Sequence, residues 1–557
     1  MEKNIIKMTQ DNLTAKQNDY AIFLPAISGF YATFIGKQRS EPYVDPARFP
    51  QGLTDMEQLN WLNSQKSLFP YKWSLHSGGH ANLDLNKFVS SEEMIRTREP
   101  GTVMVGDSGG FQIAKGLWEG DWKANSGCPD AQGKREAVLK WLDGISDYGM
   151  GLDIPTWVVR SKHASAKCQI TTHQEAVDAT RFNNEYFINN RKGIKAGGAR
   201  FLNVLQGASH TEAEDWYQTM KEYCDPKKYP DRHFDGWGMG GQNMCDVHLI
   251  LHRLIALKYD GLLQEGVHDW MHFLGTSKLE WAVLLTVIQR NVRRYANPKF
   301  TISFDCASPF LATANGQVYY ENAFPQMGKW TYKMSAGPDD RNYATDTNGY
   351  GTTSMAVGKF DSWQDSPVSH MLKMNDICYY KPGDVNKNGK EAKTSWDSFS
   401  YALLMAHNVW MHITAVQEAN RRFDAGELPE MMEYSAPSRD KFQDIVESIF
   451  AAPTRQASMA IIEKYDRYWM EIVGGRGYIG NKTRNATTVT NDRTKFEIDT
   501  DFSKPKLSKT EAKAKKAAKT PTINTAIMES DFVQPVNVKT KAKSIKPPVI
   551  NTAIFEE

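Results

Sequence analysis

Cysteine is scarce in this chain and nowhere paired. Six stand among 557 residues (Cys128, Cys168, Cys224, Cys245, Cys306 and Cys378), and no two form a CxxC. That spacing excludes a disulfide framework and points to a reducing compartment. Long apolar runs are also missing: none approaches the roughly 20 residues that span a bilayer, so no membrane partner is expected. The opening residues, MEKNIIKMTQDNLTAKQ, are polar throughout and lack the apolar centre of a secretory signal, which predicts a cytoplasmic location. Net charge is nearly absent too, at +2. This balance hides an asymmetry. Between Lys504 and Lys546 eleven lysines face three acids, so that segment carries +8 and the rest of the chain −6.

What remains is the composition of a soluble globular protein, 41% hydrophobic and 24% charged, long enough for several domains or one barrel with additions. The basic end, residues 476–557, reads as a disordered lysine-rich tail. Its lysines would bind phosphates without reading sequence. Within it, Pro521-Thr522-Ile523-Asn524-Thr525-Ala526-Ile527 returns nearly intact as Pro548-Val549-Ile550-Asn551-Thr552-Ala553-Ile554. A short apolar motif used twice in a basic arm is either a docking peptide for a protein partner or a duplication without function.

From Thr102 onward short apolar runs alternate with amphipathic stretches. The runs end at Asp107 (TVMVGD), Asp153 (YGMGLD), Gln206 (FLNVLQ), Gly240 (GWGMG), Gly275 (MHFLG) and Asp305 (FTISFD), 46, 53, 34, 35 and 30 residues apart. Helical patterns fill the gaps at 136–146, 173–191, 211–224, 243–259 and 279–294. In the fourth, Val247, Leu251, Leu254 and Leu257 share one face. So many βα units predict a TIM-type (β/α)8 barrel, with a doubly wound sheet as the alternative. The expected division is an N-terminal extension with the first barrel elements at 1–100, the barrel at 101–425, further helices at 426–475 and the tail. In the extension, His76-Ser77-Gly78-Gly79-His80 reads as a surface loop, because its glycines oppose a helix that would align the two histidines. In such barrels the strands' C-terminal ends build the active site, and here polar residues recur at those ends.

Those ends carry a resemblance. Asp107-Ser108-Gly109-Gly110-Phe111-Gln112, Asn203-Val204-Leu205-Gln206-Gly207, Phe304-Asp305-Cys306, Asn315-Gly316-Gln317 and Leu403-Leu404-Met405-Ala406-His407-Asn408 occur in this order. Together they resemble the tRNA-guanine transglycosylase family over roughly residues 100–420. The resemblance implies a barrel enzyme that exchanges guanine in a nucleic acid for a free 7-deazaguanine base. It implies Asp305 as the nucleophile at the sugar C1′ and Asp107 as the acid/base serving the bases. It further implies Phe111 and Leu274 as apolar residues on the purine's two faces, Asp153 as the carboxylate on its N1/N2 edge, and Gln206 with the Gly236-Trp237 backbone at O6. Double displacement through two carboxylates preserves the sugar's configuration, as in retaining glycosidases.

The sequence also departs from the family, which holds zinc through a CxCxxC cluster and a histidine. Here only Cys378 precedes His407, so zinc is either rebuilt from Cys378, His407 and His370 or His412, or lost, and the chemistry itself requires no cofactor. No glutamate stands near Gly241, where members selecting an aminomethyl substituent carry one, which implies a neutral 7-substituent such as the nitrile of 7-cyano-7-deazaguanine. The degraded cluster, the long extension and the lysine arm are similar to the phage DNA-guanine transglycosylases, whose modified DNA resists host restriction. That implies DNA as partner and the host cytoplasm as location. The alternatives are a tRNA-guanine transglycosylase, a hydrolytic glycosylase and a non-catalytic nucleic-acid-binding subunit of the same descent.

Overall fold

The computed structural model describes residues 19–40, 44–87, 89, 92–244, 246–379, 394–432 and 440–474. Residues 475–557, and with them the basic arm and its repeated motif, lie outside the described residues. Eight short strands lie side by side: β1 (Ile22–Pro25), β2 (Trp73–Ser77), β3 (Val103–Asp107), β4 (Tyr148–Met150), β5 (Arg200–Leu205), β6 (Gly236–Met239), β7 (Trp270–Phe273) and β8 (Thr301–Cys306). All neighbours are parallel, in the order β1-β8-β7-β6-β5-β4-β3-β2. The ring closes where Ala26 bridges Leu75 in parallel and Ile27 N–H donates to the Leu75 carbonyl at 2.9 Å. Closure decides for the TIM-type barrel over the doubly wound sheet, which must keep two open edges.

The runs are short because each barrel strand needs to cover only the barrel's height, and their Val, Ile, Phe and Trp content suits a pleated surface buried on both sides. Around them stand α1 (Gly29–Ser40), α2 (Pro129–Ile145), α3 (His173–Asn190), α4 (His210–Met220), α5 (Val247–Tyr259), α6 (Leu279–Tyr295) and α7 (Ser398–Asp424). Several start where the sequence signals a cap: Thr172 and Glu175 form a capping box on α3, and Asp246 caps α5. The 27-residue α7 follows a long excursion after β8 that includes an antiparallel hairpin, β9 (Gln317–Ala323) and β10 (Thr331–Ala336). It packs on α6, α1 and β1, taking the place of the eighth barrel helix. Its cap, Asp397, also receives both Nε and Nη2 of the buried Arg48 at 2.7 Å, pinning the N-terminal region to this helix.

Beyond the barrel lie α8 (Phe442–Ala451), α9 (Arg455–Lys464) and α10 (Asp466–Gly474), close to the helices expected after residue 426. α9 and α10 pack against α5. This covering explains a departure from the one-faced pattern: in α5 not only Val247, Leu251, Leu254 and Leu257 but also His248, Leu249 and Ile250 are buried. The histidine–glycine stretch departs as well. His76 is no loop residue but part of β2, 1% exposed, with Nδ1 3.2 Å from the Ile27 carbonyl. The strand ends only at Ser77, and the glycines turn the chain just beyond it.

Candidate active site

Four of the expected polar residues meet at the C-terminal mouth of the barrel. Asp107 is the last residue of β3, and its Oδ2 accepts from Ser77 Oγ at 2.6 Å, from the end of the neighbouring β2. Gly109 N–H lies 3.4 Å from Oδ1, which requires the turn that φ +87° gives that glycine. The Asp107 carboxyl is pushed above its ordinary pKa, first by burial and then by the charge of Asp305; the Ser77 and Gly109 bonds and His272 oppose this. That Asp107 feels the charge of Asp305 brings the two acids, far apart in the chain, to one mouth.

Asp305, on β8, has 14% of its side chain exposed. Its Oδ1 accepts from Gly275 N–H at 2.9 Å and stands 3.1 Å from His272 Nε2. Behind it His272 Nδ1 is 2.8 Å from Ser303 Oγ, which in turn receives Trp270 Nε1–H at 2.8 Å. One proton arrangement satisfies the whole relay: Trp270 donates to Ser303, the Ser303 hydroxyl donates to Nδ1, and Nε2–H donates to Asp305. Both donors engage Oδ1, so Oδ2 is the oxygen with no bond among the described residues.

Asp153 follows β4 by three residues and is 6% exposed; Gln206 directly follows β5 and is 5% exposed. Gln206 Nε2 donates to Asp153 Oδ2 at 2.7 Å. Burial above all, and Asp107 beside it, push the Asp153 carboxyl up to about 7, against the pull of the Gln206 bond. With Nε2 so engaged, Gln206 Oε1 is buried without a hydrogen-bond partner among the described residues. The Gln206 loop is held by Asn243, whose Nδ2 reaches the carbonyls of Gln206 at 3.0 Å and Gly240 at 3.2 Å. Phe111 remains 37% exposed in the short helix Gly110–Ala114, with the Trp157 ring edge-on at 6.0 Å, and Leu274 follows β7 directly. A large ring left half in water beside buried acids is an apolar face for a planar ligand.

Space is tight around these groups. A Cβ at Gly110 would come within 2.5 Å of the Asp153 carbonyl and 2.9 Å of its Oδ1. Gly110→Ala should therefore cost about 1–3 kcal/mol and displace Asp153, because a backbone carbonyl cannot rotate away as a flexible side chain can. Denaturant unfolding of the variant checks this; an unchanged midpoint would refute the close approach.

Gly236 and Trp237 do not join this mouth. They open β6, pairing with Leu202 and Asn203 and with Trp270 and Met271, and Trp237 Nε1 donates to Leu262 at the opposite end of the barrel. The backbone that reaches Gln206 is instead Gly240-Gly241: a Cβ on either would fall within 2.8 Å of the Gln206 amide. The glycine-rich GWGMGG run allowed either placement, and only the strand register separates them.

The zinc ligands do not converge either. Both His407 nitrogens are engaged, Nδ1 with Ser366 Oγ at 2.9 Å and Nε2 with the Tyr319 carbonyl at 2.7 Å, while the ring stacks on Trp363 at 4.9 Å. Burial holds its pKa near 4, so it sits neutral in the core. Cys378 turns its thiol to the Pro338 carbonyl, His412 Nε2 pairs with Tyr332 at 2.8 Å, and His370 is largely exposed beside Asp365. These four positions do not fit one metal ion, since a structural site needs four N or S ligands around a single point.

His272 and Ser77 escaped the sequence reading. Each is a polar residue inside an apolar strand run (WSLHS and WMHF), the one available signal that its side chain faces something polar. The chain matches no protein-family model, and none of the curated proteins matches it.

Proposed function

We propose that this barrel is a base-exchange enzyme that replaces guanine in DNA by a free 7-deazaguanine through a covalent bond between Asp305 and the sugar C1′. Support comes from one observation above the rest: Asp107, Asp153, Gln206 and Asp305, at or just beyond the ends of four different strands, share a single mouth in which Asp107 feels the charge of Asp305 and Asp153 that of Asp107. In this reading Asp305 Oδ2 attacks C1′ as the guanine leaves. Asp107, whose raised pKa suits a proton carrier, protonates the departing base and later takes the proton from the incoming one. His272 and Gly275 fix Asp305 for attack through Oδ1. The Asp153 carboxylate takes the two donors of the purine N1/N2 edge, which frees Gln206 Nε2 to turn to O6. Phe111 stacks on the ring, and a duplex must flip its guanosine out to reach it.

The lysines of the C-terminal arm would add affinity for phosphates in a salt-dependent way. DNA so modified would resist restriction by a host nuclease, which fits a viral role. The test is incorporation: labelled guanine or 7-cyano-7-deazaguanine is incubated with the full chain and duplex DNA, single-stranded DNA or tRNA. Label should enter DNA. Entry into tRNA alone would replace DNA by tRNA as the substrate, and loss of guanine without incorporation would make the enzyme a hydrolase.

A further inference from the structure

Away from the barrel mouth, three potential ligands from two distant parts of the chain come together. His248 is the second residue of α5 and is 4% exposed. Glu463, next to last in α9, brings Oε1 to 2.6 Å from His248 Nε2, and Asp466 opens α10. One ligand atom from each lies within 4.8 Å of the other two. Among the described residues this is the one set of three such groups so close.

We propose that His248, Glu463 and Asp466 form a site for a divalent cation of the zinc–manganese class, which ties α9 and α10 to the barrel. A simple ion pair needs one carboxylate per imidazole. Around a divalent cation, a neutral imidazole and two carboxylates balance the ion's charge. The ligand set selects the metal. Imidazole favours zinc and its neighbours, whereas calcium takes six to eight oxygens. Bonds of about 2.0–2.2 Å place neighbouring ligand atoms about 3–3.5 Å apart, so the His248–Glu463 contact opens by under about 1 Å to admit the ion. The imidazole is buried, whereas the Glu463 side chain is 59% exposed and leaves the site open to ions from solvent. The His210 ring stands 5.0 Å from that of His248, and its Nε2 is 3.0 Å from Asp246, the residue that caps α5. The His252 ring stacks one turn further along at 5.9 Å. Three imidazoles thus line the seam between α5 and the C-terminal helices, and the two carboxylates flanking the α9–α10 turn close it.

Zinc chloride titrated into the chelator-treated full-length protein should bind at about one equivalent and raise the thermal midpoint. In the double variant Glu463→Gln/Asp466→Asn, which keeps side-chain size at one exposed and one half-buried position, affinity should fall at least tenfold and the rise in midpoint should vanish. Manganese chloride should give the same contrast at lower affinity. Equal zinc binding by the two proteins, or no binding by either, would overturn the site. The readout is independent of base exchange, so it stands or falls apart from the proposed activity.

Discussion

Asp305→Asn should abolish the covalent enzyme–DNA adduct and lower base exchange by roughly 10⁴-fold or more, the scale on which loss of a nucleophile acts. The substitution keeps the oxygen that accepts from Gly275 N–H and changes no volume, so the barrel should fold and still bind DNA. What it removes is the negative charge. An amide oxygen neither stabilises oxocarbenium character at C1′ nor displaces the base, whereas the carboxylate does both. The same change bears on Asp107, whose carboxyl is raised partly by the charge of Asp305. In the Asn variant that contribution disappears, and the pKa of Asp107 should move down toward its ordinary value. The measurement is denaturing electrophoresis of protein trapped on guanine-containing DNA. A band of undiminished strength in the variant would remove Asp305 from the nucleophile's role.

The barrel could be read from the chain because a βα unit leaves a local imprint. Runs such as TVMVGD and MHFLG are apolar and each is followed by an amphipathic stretch, so a unit announces itself within 30 to 53 residues. What remained hidden depends on contacts distant in sequence. β2 was obscured because the glycines after Ser77 dominate the local signal, whereas its pairing with β3 comes from a segment 30 residues away. The place of Gly236 is ambiguous in sequence for a related reason: in a run with glycine at every second position, no side-chain pattern marks which end meets Gln206. Only the register with β5 decides. His272 illustrates the limit for a site. One histidine in an apolar run is usually a satisfied core residue, and here it is both that, through Ser303, and the neighbour of Asp305. The acids were legible because an acid ending a buried strand has few structural uses. The partner that orients an acid has no such signature.

Asp153→Asn should weaken binding of guanine and 7-deazaguanines by about 10²–10³-fold, and it should also change how the protein responds to pH. In the proposed pose the Asp153 carboxylate takes both donors of the N1/N2 edge; an amide would offer a single acceptor and turn an N–H toward another N–H, leaving buried groups unpaired. In the free protein Asp153 titrates near 7. Base binding by the native chain should therefore be flat above pH 7 and fall about tenfold for each pH unit below it, since the proton must leave before the donors can bond. The Asn variant should show no such slope. Stability should move in the opposite sense. Because the folded pKa lies above the unfolded value of 3.8, the native state holds a proton that the unfolded chain has lost between those limits. The contribution of this group to stability is then greatest below pH 3.8, declines as the pH rises to about 7, and is constant beyond. Its full span from 3.8 to about 7 corresponds to roughly 4 kcal/mol, so at pH 8 the Asn variant should be more stable than the native protein by a part of that amount, with no advantage at pH 4. Urea unfolding at the two pH values, alongside calorimetric titration of the base, reads both effects from one pair of proteins. A variant less stable than the native chain at pH 8 would mean that Asp153 is held ionised by partners stronger than Gln206, and the acid could then bind guanine without the pH dependence expected here.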